Sequence, residues 1–376
     1  MVLSVVGARP NFVKIAPIVA EMAKRPALSS ILVHTGQHYD STMSSSFFSD
    51  LAIPEPDHNL GVGAGSPLVQ TAETMRRLEP ILSSTNPDVV VVVGDVTSTV
   101  AAALAAAKLA IPVVHVEAGL RSFDRTMPEE INRIVTDALS DHFFVTEDSG
   151  RNNLLSEGKD PATIHMVGNV MIDTLDAMRR VWEHSGILAE LGLAGRDFAL
   201  LTLHRPANVD DSTRLDTVLE ACGRVAQAVP VVFPVHPRVR DRLLRRPGFT
   251  WIPRGGCASI SPGINCLDAL GYPDFVALLS RCRLALTDSG GVQEEATVLG
   301  VPCLTLRDNT ERPVTLTHGT NRLVGRDPER IVAEALHVLR SPSPQPSRPP
   351  LWDGRAAVRI VDHLEDLAKV PCSCRP

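Results

Sequence analysis

Short unbroken apolar runs recur along this chain, and each gives way to a polar turn and then to a helical pattern. In the first half the runs are Val2–Val6, Ser30–His34, Val89–Val93, 112–116, 143–145 and 164–167. Helical patterns fall between them at 12–24, 66–83 and 98–109, with Asn11 a plausible cap for the first. A further helix is opened by Pro128 at its first position, where a missing N–H costs nothing. The second half repeats the alternation, with runs at 198–203, 231–235, 251–252, Leu284–Thr287 and 303–306. Strand-like runs alternating with helices predict a parallel sheet covered by helices, here twice. The expected fold is therefore α/β, two doubly wound domains in tandem, over residues 1–172 and 173–350. Residues 173–192 read as a helical linker, 254–266 as a Gly-, Ser- and Pro-rich loop, and 341–350 as a non-helical Pro/Ser segment. A last amphipathic helix at 354–369, within a closing segment 351–376, is free to close either domain or to cross back to the first.

In such sheets ligands bind beyond the carboxyl ends of the strands, and two facing domains would put the site in a cleft. The stretch 287–295, TDSGGVQEE, is such a strand end running into a helix that stops at Gly300. Glycines let backbone come close to a ligand, and a helix N-terminus offers N–H groups and partial positive charge to an anion such as phosphate. Each charge-assisted hydrogen bond there contributes roughly 1.5–3 kcal/mol. Glu294 and Glu295 lie inside that helix, where one carboxylate is better suited to ribose hydroxyls than to phosphate. An ordinary corner capped by Ser289 is the competing reading of this stretch alone.

Composition narrows the function. At 376 residues and 44% hydrophobic, the chain is long enough for two cores. A net charge of −6 and 4% aromatics argue against a nucleic-acid surface or base-stacking platform. No apolar run reaches the ~20 residues needed to cross a bilayer, and the chain starts directly as a strand with no visible signal peptide. The seven cysteines all lie from Cys222 onward with no CxxC, which predicts core thiols in a reducing, cytoplasmic setting.

The side chains that follow the strands carry the chemistry. Arg9 and Lys14 follow the first, Gln37 and His38 the second, Asp95 the run Val89–Val93, and Glu117 the run 112–116. Glu129, Glu130 and Arg133 open the next helix; His204, Arg205, His236, Asp288, and 310–313 (TERP) follow strands of the second half. Taken singly, an Asp or Glu at a strand end often caps a helix, His115 reads as a core histidine, and Glu129 with Arg133 reads as a surface i,i+4 pair. Taken together, three carboxylates and two histidines supply acid/base groups, while Arg9, Lys14 and Ser289-Gly290-Gly291 supply an anion site. GxGxxG and GxxxxGK[ST] are both absent, so a phosphate ligand without a dinucleotide or ATP motif points to a nucleotide sugar.

The motifs GARPNFVKIAP (7–17), TGQH (35–38), GD (94–95), HVEAGLRS (115–122), PEEINR (128–133), DSGGVQEE (288–295) and TERP (310–313) occur in one order. In this the chain resembles the UDP-N-acetylglucosamine 2-epimerase family over roughly residues 2–368. The resemblance implies two Rossmann-like domains of the glycosyltransferase-B type. It implies Asp95, Glu117, Glu130 and His204 as catalytic residues. It implies UDP-sugar contacts from Arg9, Lys14, Gln37, His38, Arg133, His236, Ser289, Gly290, Gly291 and Arg312, with Glu295 at the ribose and Phe275 against uracil. It further implies a homodimer, with no metal and no nicotinamide cofactor.

The implied chemistry suits these groups. Direct removal of a pyranose C2 proton is slow; loss of UDP from C1 makes that proton acidic, and a carboxylate takes it to give a 2-acetamidoglucal. Reprotonation on the other face with re-addition of UDP gives the C2 epimer. Fixed donors around the leaving diphosphate favour the transition state over the ground state. The expected reaction interconverts UDP-GlcNAc and UDP-ManNAc; a hydrolysing relative releasing UDP and N-acetylmannosamine, or acting on a modified sugar, is the alternative. A glycosyltransferase needs at most one base, and a non-catalytic binder needs none of these carboxylates. Residues 205–210 depart from the Arg-Arg-Glu version common in well-known bacterial members; 39–41 depart from those that help regulated bacterial members bind a second UDP-sugar, which puts activation by substrate in doubt.

Overall fold

The computed structural model describes residues 1–36, 48, 50–244, 246, 248–253, 260–342 and 345–369. The chain divides into two compact units, Met1–Ala177 with the described residues from Pro350 onward, and Met178–Pro349. The division falls five residues beyond the 172/173 boundary expected from the sequence. Residues 173–192 form not one helix but three short ones, Val170–Ala177, Arg179–Glu183 and Ile187–Glu190.

The first unit holds a sheet of seven described strands, all parallel: β1 (Val2–Val6), β2 (Ser30–His34), β3 (His58–Asn59), β4 (Val89–Val93), β5 (Val113–Val116), β6 (His142–Val145) and β7 (Ile164–Met166). Their order is β3-β2-β1-β4-β5-β6-β7. Helices cover both faces, which is why β4 is five consecutive valines, all buried; a strand solvated on one face would alternate. The chain runs outward from β1, then returns to the other side of β1 as β4. That reversal puts a ligand crevice beyond the carboxyl ends of β1 and β4. The first helix, Arg9–Met22, starts three residues earlier than the pattern suggested, with Ala8 at the cap position. Asn11 does different work: its Oδ1 accepts from Ala8 N–H at 3.3 Å and its Nδ2 donates to the Val93 carbonyl at 2.6 Å. It thereby ties the turn after β1 to the end of β4.

The last described helix, Ala356–Lys369, packs on the helices Arg9–Met22 and Val170–Ala177 within this unit. Its first N–H groups are held by a residue from elsewhere in the chain: the buried Asp173 carboxylate accepts from Ala356 N at 3.1 Å and Ala357 N at 2.7 Å. Burial pushes the Asp173 carboxyl up to about 6. Ahead of the helix, the buried Trp352 donates its indole N–H to Thr146 O at 3.0 Å.

The second unit has the same construction: β8 (Ala199–Thr202), β9 (Val231–Pro234), β10 (Phe249–Trp251), β11 (Ile264–Leu267), β12 (Leu284–Thr287), β13 (Cys303–Thr305) and β14 (Asn321–Leu323). The order among described strands is β10-β11-β9-β8-β12-β13-β14, all parallel. β11 corrects the reading of 254–266 as loop throughout: 264–266 lie in a fully buried strand between β9 and β10. Its polar centre hides it in the sequence. Asn265 accepts from Ser261 N and Oγ, each at 3.1 Å, and donates to Ser261 O at 2.9 Å. Residues 254–259 lie outside the described residues. The switch point here lies between β8 and β12.

Cys222, Cys266, Cys282 and Cys303 are buried and unpaired; burial pushes the thiols of Cys222, Cys266 and Cys303 up to about 12. The tail cysteines, 372 and 374, and Cys257 lie outside the described residues. Among the described residues no helix is long and apolar enough to cross a membrane.

Candidate functional site

In the first unit, β4 ends in Gly94-Asp95 and β5 in Glu117. Gly94 takes φ +64, and a Cβ there would stand 2.8 Å from Lys14 Nζ; glycine is the residue that lets this ammonium pass. Lys14 Nζ lies 2.6 Å from Glu117 Oε2, with both side chains buried. Lys14, expected at the UDP, is thus engaged with a candidate catalytic carboxylate. Glu117 itself has φ 70, a left-handed conformation that costs a non-glycine residue about 1–3 kcal/mol. Strain of this kind persists where surrounding contacts hold it in place, here the Lys14 ion pair and the Glu117 N–H donated to Phe144 O at 2.9 Å.

His115, the core histidine, is fully buried. Its ring nitrogens face Gly94 O at 2.8 Å and Asp137 Oδ1 at 2.6 Å, so it braces the backbone just before Asp95. Asp137 also accepts from Gly119 N at 3.0 Å and Arg121 Nη1 at 2.7 Å. Burial alone would raise the Asp137 carboxyl; His115 and Arg121 outweigh it and hold the group below the usual carboxylate range.

Arg133 is buried and not on the surface. The helix Pro128–Leu139 turns it inward, where Nη1 pairs with Asp95 Oδ2, and Nε and Nη2 meet Glu130 Oε2 at 3.0 and 2.7 Å. Asn132 Nδ2 reaches the Asp95 carbonyl at 2.8 Å. Glu130 accepts in addition from Ser122 N at 2.9 Å, Ser122 Oγ at 3.0 Å and Phe123 N at 2.9 Å. Burial opposes ionisation of Glu130, but the Ser122 N–H and Arg133 prevail and hold its carboxyl low. Three expected carboxylates therefore stand with Lys14 and Arg133 in one cluster of the first unit.

In the second unit the two switch-point strands are joined by Asp288, named above only as a residue that follows a strand. Asp288, fully buried after β12, accepts from His204 N at 3.1 Å, Arg205 N at 3.0 Å and Asn208 Nδ2 at 3.1 Å. Its carboxylate also lies 3.2 Å from His204 Nδ1. Burial would raise its pKa; the His204 ring and these donors lower it instead. Nε2 is the His204 nitrogen not engaged by Asp288. The His204 side chain is 38% exposed, with its ring 6.0 Å from that of His236.

The helix Gly290–Leu299 begins directly after Ser289, whose side chain makes no capping bond, and ends on Gly300 at φ 72. Gly290 is packed against an ion pair: a Cβ there would stand 2.7 Å from Arg312 Nη1 and 3.0 Å from Glu311 Oε1. Arg312 in turn meets Glu294 Oε1 at 2.7 Å and Glu311 Oε1 at 2.8 Å. Glu311, fully buried, is also met by Arg205 at 3.1 Å and Arg307 at 2.6 Å. Three guanidiniums around two buried glutamates thus flank a helix N-terminus. Glu295 Oε1 accepts from Tyr272 OH at 2.9 Å, and Phe275, half-buried on the helix Tyr272–Arg281, packs on the core beside it.

Sequence reasoning missed Asp288 as a tie, the Arg205–Arg307–Glu311 group and Tyr272. The GYPDF stretch, 271–275, held the signal for Tyr272; the buried ion network joins residues up to 106 positions apart and leaves no local signature. Gln37 and His38 lie outside the described residues, as does the Arg9 side chain, though Arg9 opens the first helix. Among the described residues no group of three or more His, Cys, Asp or Glu is placed to hold a metal ion.

The sequence profile described as UDP-N-acetylglucosamine 2-epimerase matches residues 20–365. A protein of Methanocaldococcus jannaschii with that name is 39% identical, covering 96% of this chain and 98% of the relative. A Pseudomonas aeruginosa protein named UDP-2,3-diacetamido-2,3-dideoxy-D-glucuronate 2-epimerase is 40% identical, covering 97% of this chain and 99% of the relative. The crystal structure of Methanocaldococcus jannaschii UDP-GlcNAc 2-epimerase in complex with UDP-GlcNAc and UDP matches with a TM-score of 0.87 and 38% identity, covering 97% and 99% of the two chains.

Proposed function

The chain belongs to the UDP-N-acetylglucosamine 2-epimerase family, and on that premise we propose that it interconverts UDP-GlcNAc and UDP-ManNAc without net hydrolysis. It is an isomerase of a nucleotide sugar. The observation that carries the reading is the pair of strand-end carboxylates in the first unit, Asp95 after β4 and Glu117 after β5, each held against a buried cation.

The steps follow from the groups. The C1–O bond breaks with its electron pair leaving on the UDP β-phosphate, and the C2 proton passes to a carboxylate drawn from Asp95, Glu117 and Glu130. A C1–C2 double bond forms. A proton returns to C2 on the opposite face, and a β-phosphate oxygen of UDP adds back to C1; no water is consumed. Negative charge grows on the diphosphate as C1–O breaks, so donors fixed in advance lower the barrier. In this reading Ser289, Gly290, Gly291, Arg9 and Arg312 hold the diphosphate, with His204 and His236 beside it. Glu295 takes the ribose hydroxyls and Phe275 the uracil, with Gln37 and His38 completing the sugar end. Holding UDP through the glycal stage is what favours re-addition over release. A cytoplasmic homodimer belongs to the same proposal.

A second reading has one observation in its favour: the Pseudomonas aeruginosa relative, named for a diacetamido-glucuronate substrate, is 40% identical. The experiment is incubation in deuterated water with UDP-GlcNAc, and separately with UDP-2,3-diacetamido-2,3-dideoxy-D-glucuronate, read by proton NMR. Deuterium at C2 of intact UDP-ManNAc is expected. Stoichiometric UDP and free N-acetylmannosamine would establish the hydrolysing reaction instead, and exchange confined to the uronate would establish the second reading.

A further inference from the structure

We infer that Glu130, alone among the three carboxylates, is a positioning residue: it builds the 122–127 loop and aims Arg133 at Asp95, while C2 proton transfer falls to Asp95 and Glu117. The inference deepens the epimerase reading and rests on it. A carboxylate offers about four lone-pair sites. Glu130 faces five donors: Ser122 N, Ser122 Oγ, Phe123 N, and Nε and Nη2 of Arg133. Four of them converge on Oε2, which has no lone pair left to collect a proton from carbon, and Oε1 is engaged by the Phe123 N–H. Its side chain is 1% exposed, against 15% for Asp95 and 2% for Glu117, so what sets it apart from Glu117 is its set of donors and not its burial. The low pKa set by the same donors agrees, since a carboxyl so held carries no proton to return at neutral pH.

What the five donors accomplish is visible in their neighbours. Phe123 sits at φ 58, left-handed for an aromatic residue, with its ring 79% exposed. A large apolar ring held in water on strained backbone relaxes unless its N–H is fixed, and Glu130 Oε1 fixes it. On its other side Arg133 is gripped through Nε and Nη2, which leaves Nη1 for Asp95. One carboxylate therefore sets both the loop that carries Phe123 and the cation that faces Asp95.

The test is the pH profile of C2 deuterium exchange in the full-length protein, for wild type, E130Q and S122A. General acid and base groups each appear as an arm of that profile. Glu130→Gln is expected to slow exchange about 100-fold, the usual cost of misplacing a catalytic group, with both arms kept. Ser122→Ala removes one hydrogen bond to Glu130 and leaves its carboxyl in place; exchange is expected to slow about threefold, with the acid arm unmoved. Loss of an arm in E130Q, or an upward shift of the acid arm in S122A, makes Glu130 a proton carrier and overturns the inference. S122A keeps the question open to measurement if E130Q does not fold. Absence of exchange in the wild type strikes the epimerase reading itself, and so is distinct from either result.

Discussion

Both units are doubly wound parallel sheets whose strand order reverses beside their first strand, and they differ in what they set at that place. At the switch point of the first, Asp95, Glu117 and Glu130 meet two cations, Lys14 and Arg133. At the switch point of the second, Arg205, Arg307 and Arg312 surround two carboxylates, Glu294 and Glu311. A doubly wound sheet gives a crevice at the reversal of strand order and nothing about its charge. In the proposed reading the first crevice takes and gives protons and the second holds an anion. The difference lies in which groups stand there and how they are paired, not in the fold.

That contrast can be broken from either side. Replacing Asp95 by Asn leaves Arg133 its Glu130 partner and removes a group proposed to carry the proton. We expect C2 deuterium exchange to fall about 10³-fold or more, at least ~4 kcal/mol in the barrier, with UDP affinity by calorimetry unchanged. Unchanged turnover removes Asp95 from the proton chemistry. In the second unit Arg312→Ala leaves Glu294 and Glu311 short of a buried cation, and losing one partner of such a pair costs about 3–5 kcal/mol. Denaturant unfolding should show that loss, and UDP should bind more weakly. A variant equally stable and equally tight shows Arg312 to be idle.

The smallest effect concerns acid. Asp137 and Glu130 in the first unit and Asp288 in the second all have lowered pKa values. Each stabilises its unit above the unfolded carboxylate range and loses that contribution as pH falls through its folded value. Asp173 runs the other way: its folded pKa of about 6 exceeds the ordinary 3.8. The folded unit takes up the proton first, so this group adds stability as pH falls through about 6 and on toward 3.8, about 3 kcal/mol in all. Asp173→Asn should abolish that gain in thermal unfolding followed between those pH values. A slope identical to wild type assigns the acid response to other groups.

Much of this was legible in the sequence because it is local. Apolar runs mark strands buried on both faces, and the residue after each run marks the crevice, which is how Asp95, Glu117, His204 and the 289–291 turn could be named. What the sequence hid depends on side chains meeting across long separations. Spacing alone offered Arg133 as an i,i+4 surface partner, and only the resemblance set it at the substrate, because its inward rotation toward Asp95, 38 positions away, leaves no local mark. Asn11 read as a cap because its bond to Val93 O spans 82 positions. β11 read as loop because Asn265 interrupts its apolar run, and the local bonds that allow Asn in a buried strand exist only once Ser261 has turned back onto it.

The closing helix carries a consequence for how the protein is made. Ala356–Lys369 covers the helix Arg9–Met22 and is started by Asp173, yet the ribosome delivers it only after the whole of Met178–Pro349. Chains emerge at about 5–20 residues per second, and domains usually fold as they appear. Here the second unit can finish while the first still waits, its first helix packed on Val170–Ala177 but without the closing helix for some ten seconds or more of synthesis. The unit that begins first is the one completed last, and during that interval the face of Arg9–Met22 that the closing helix covers stands open.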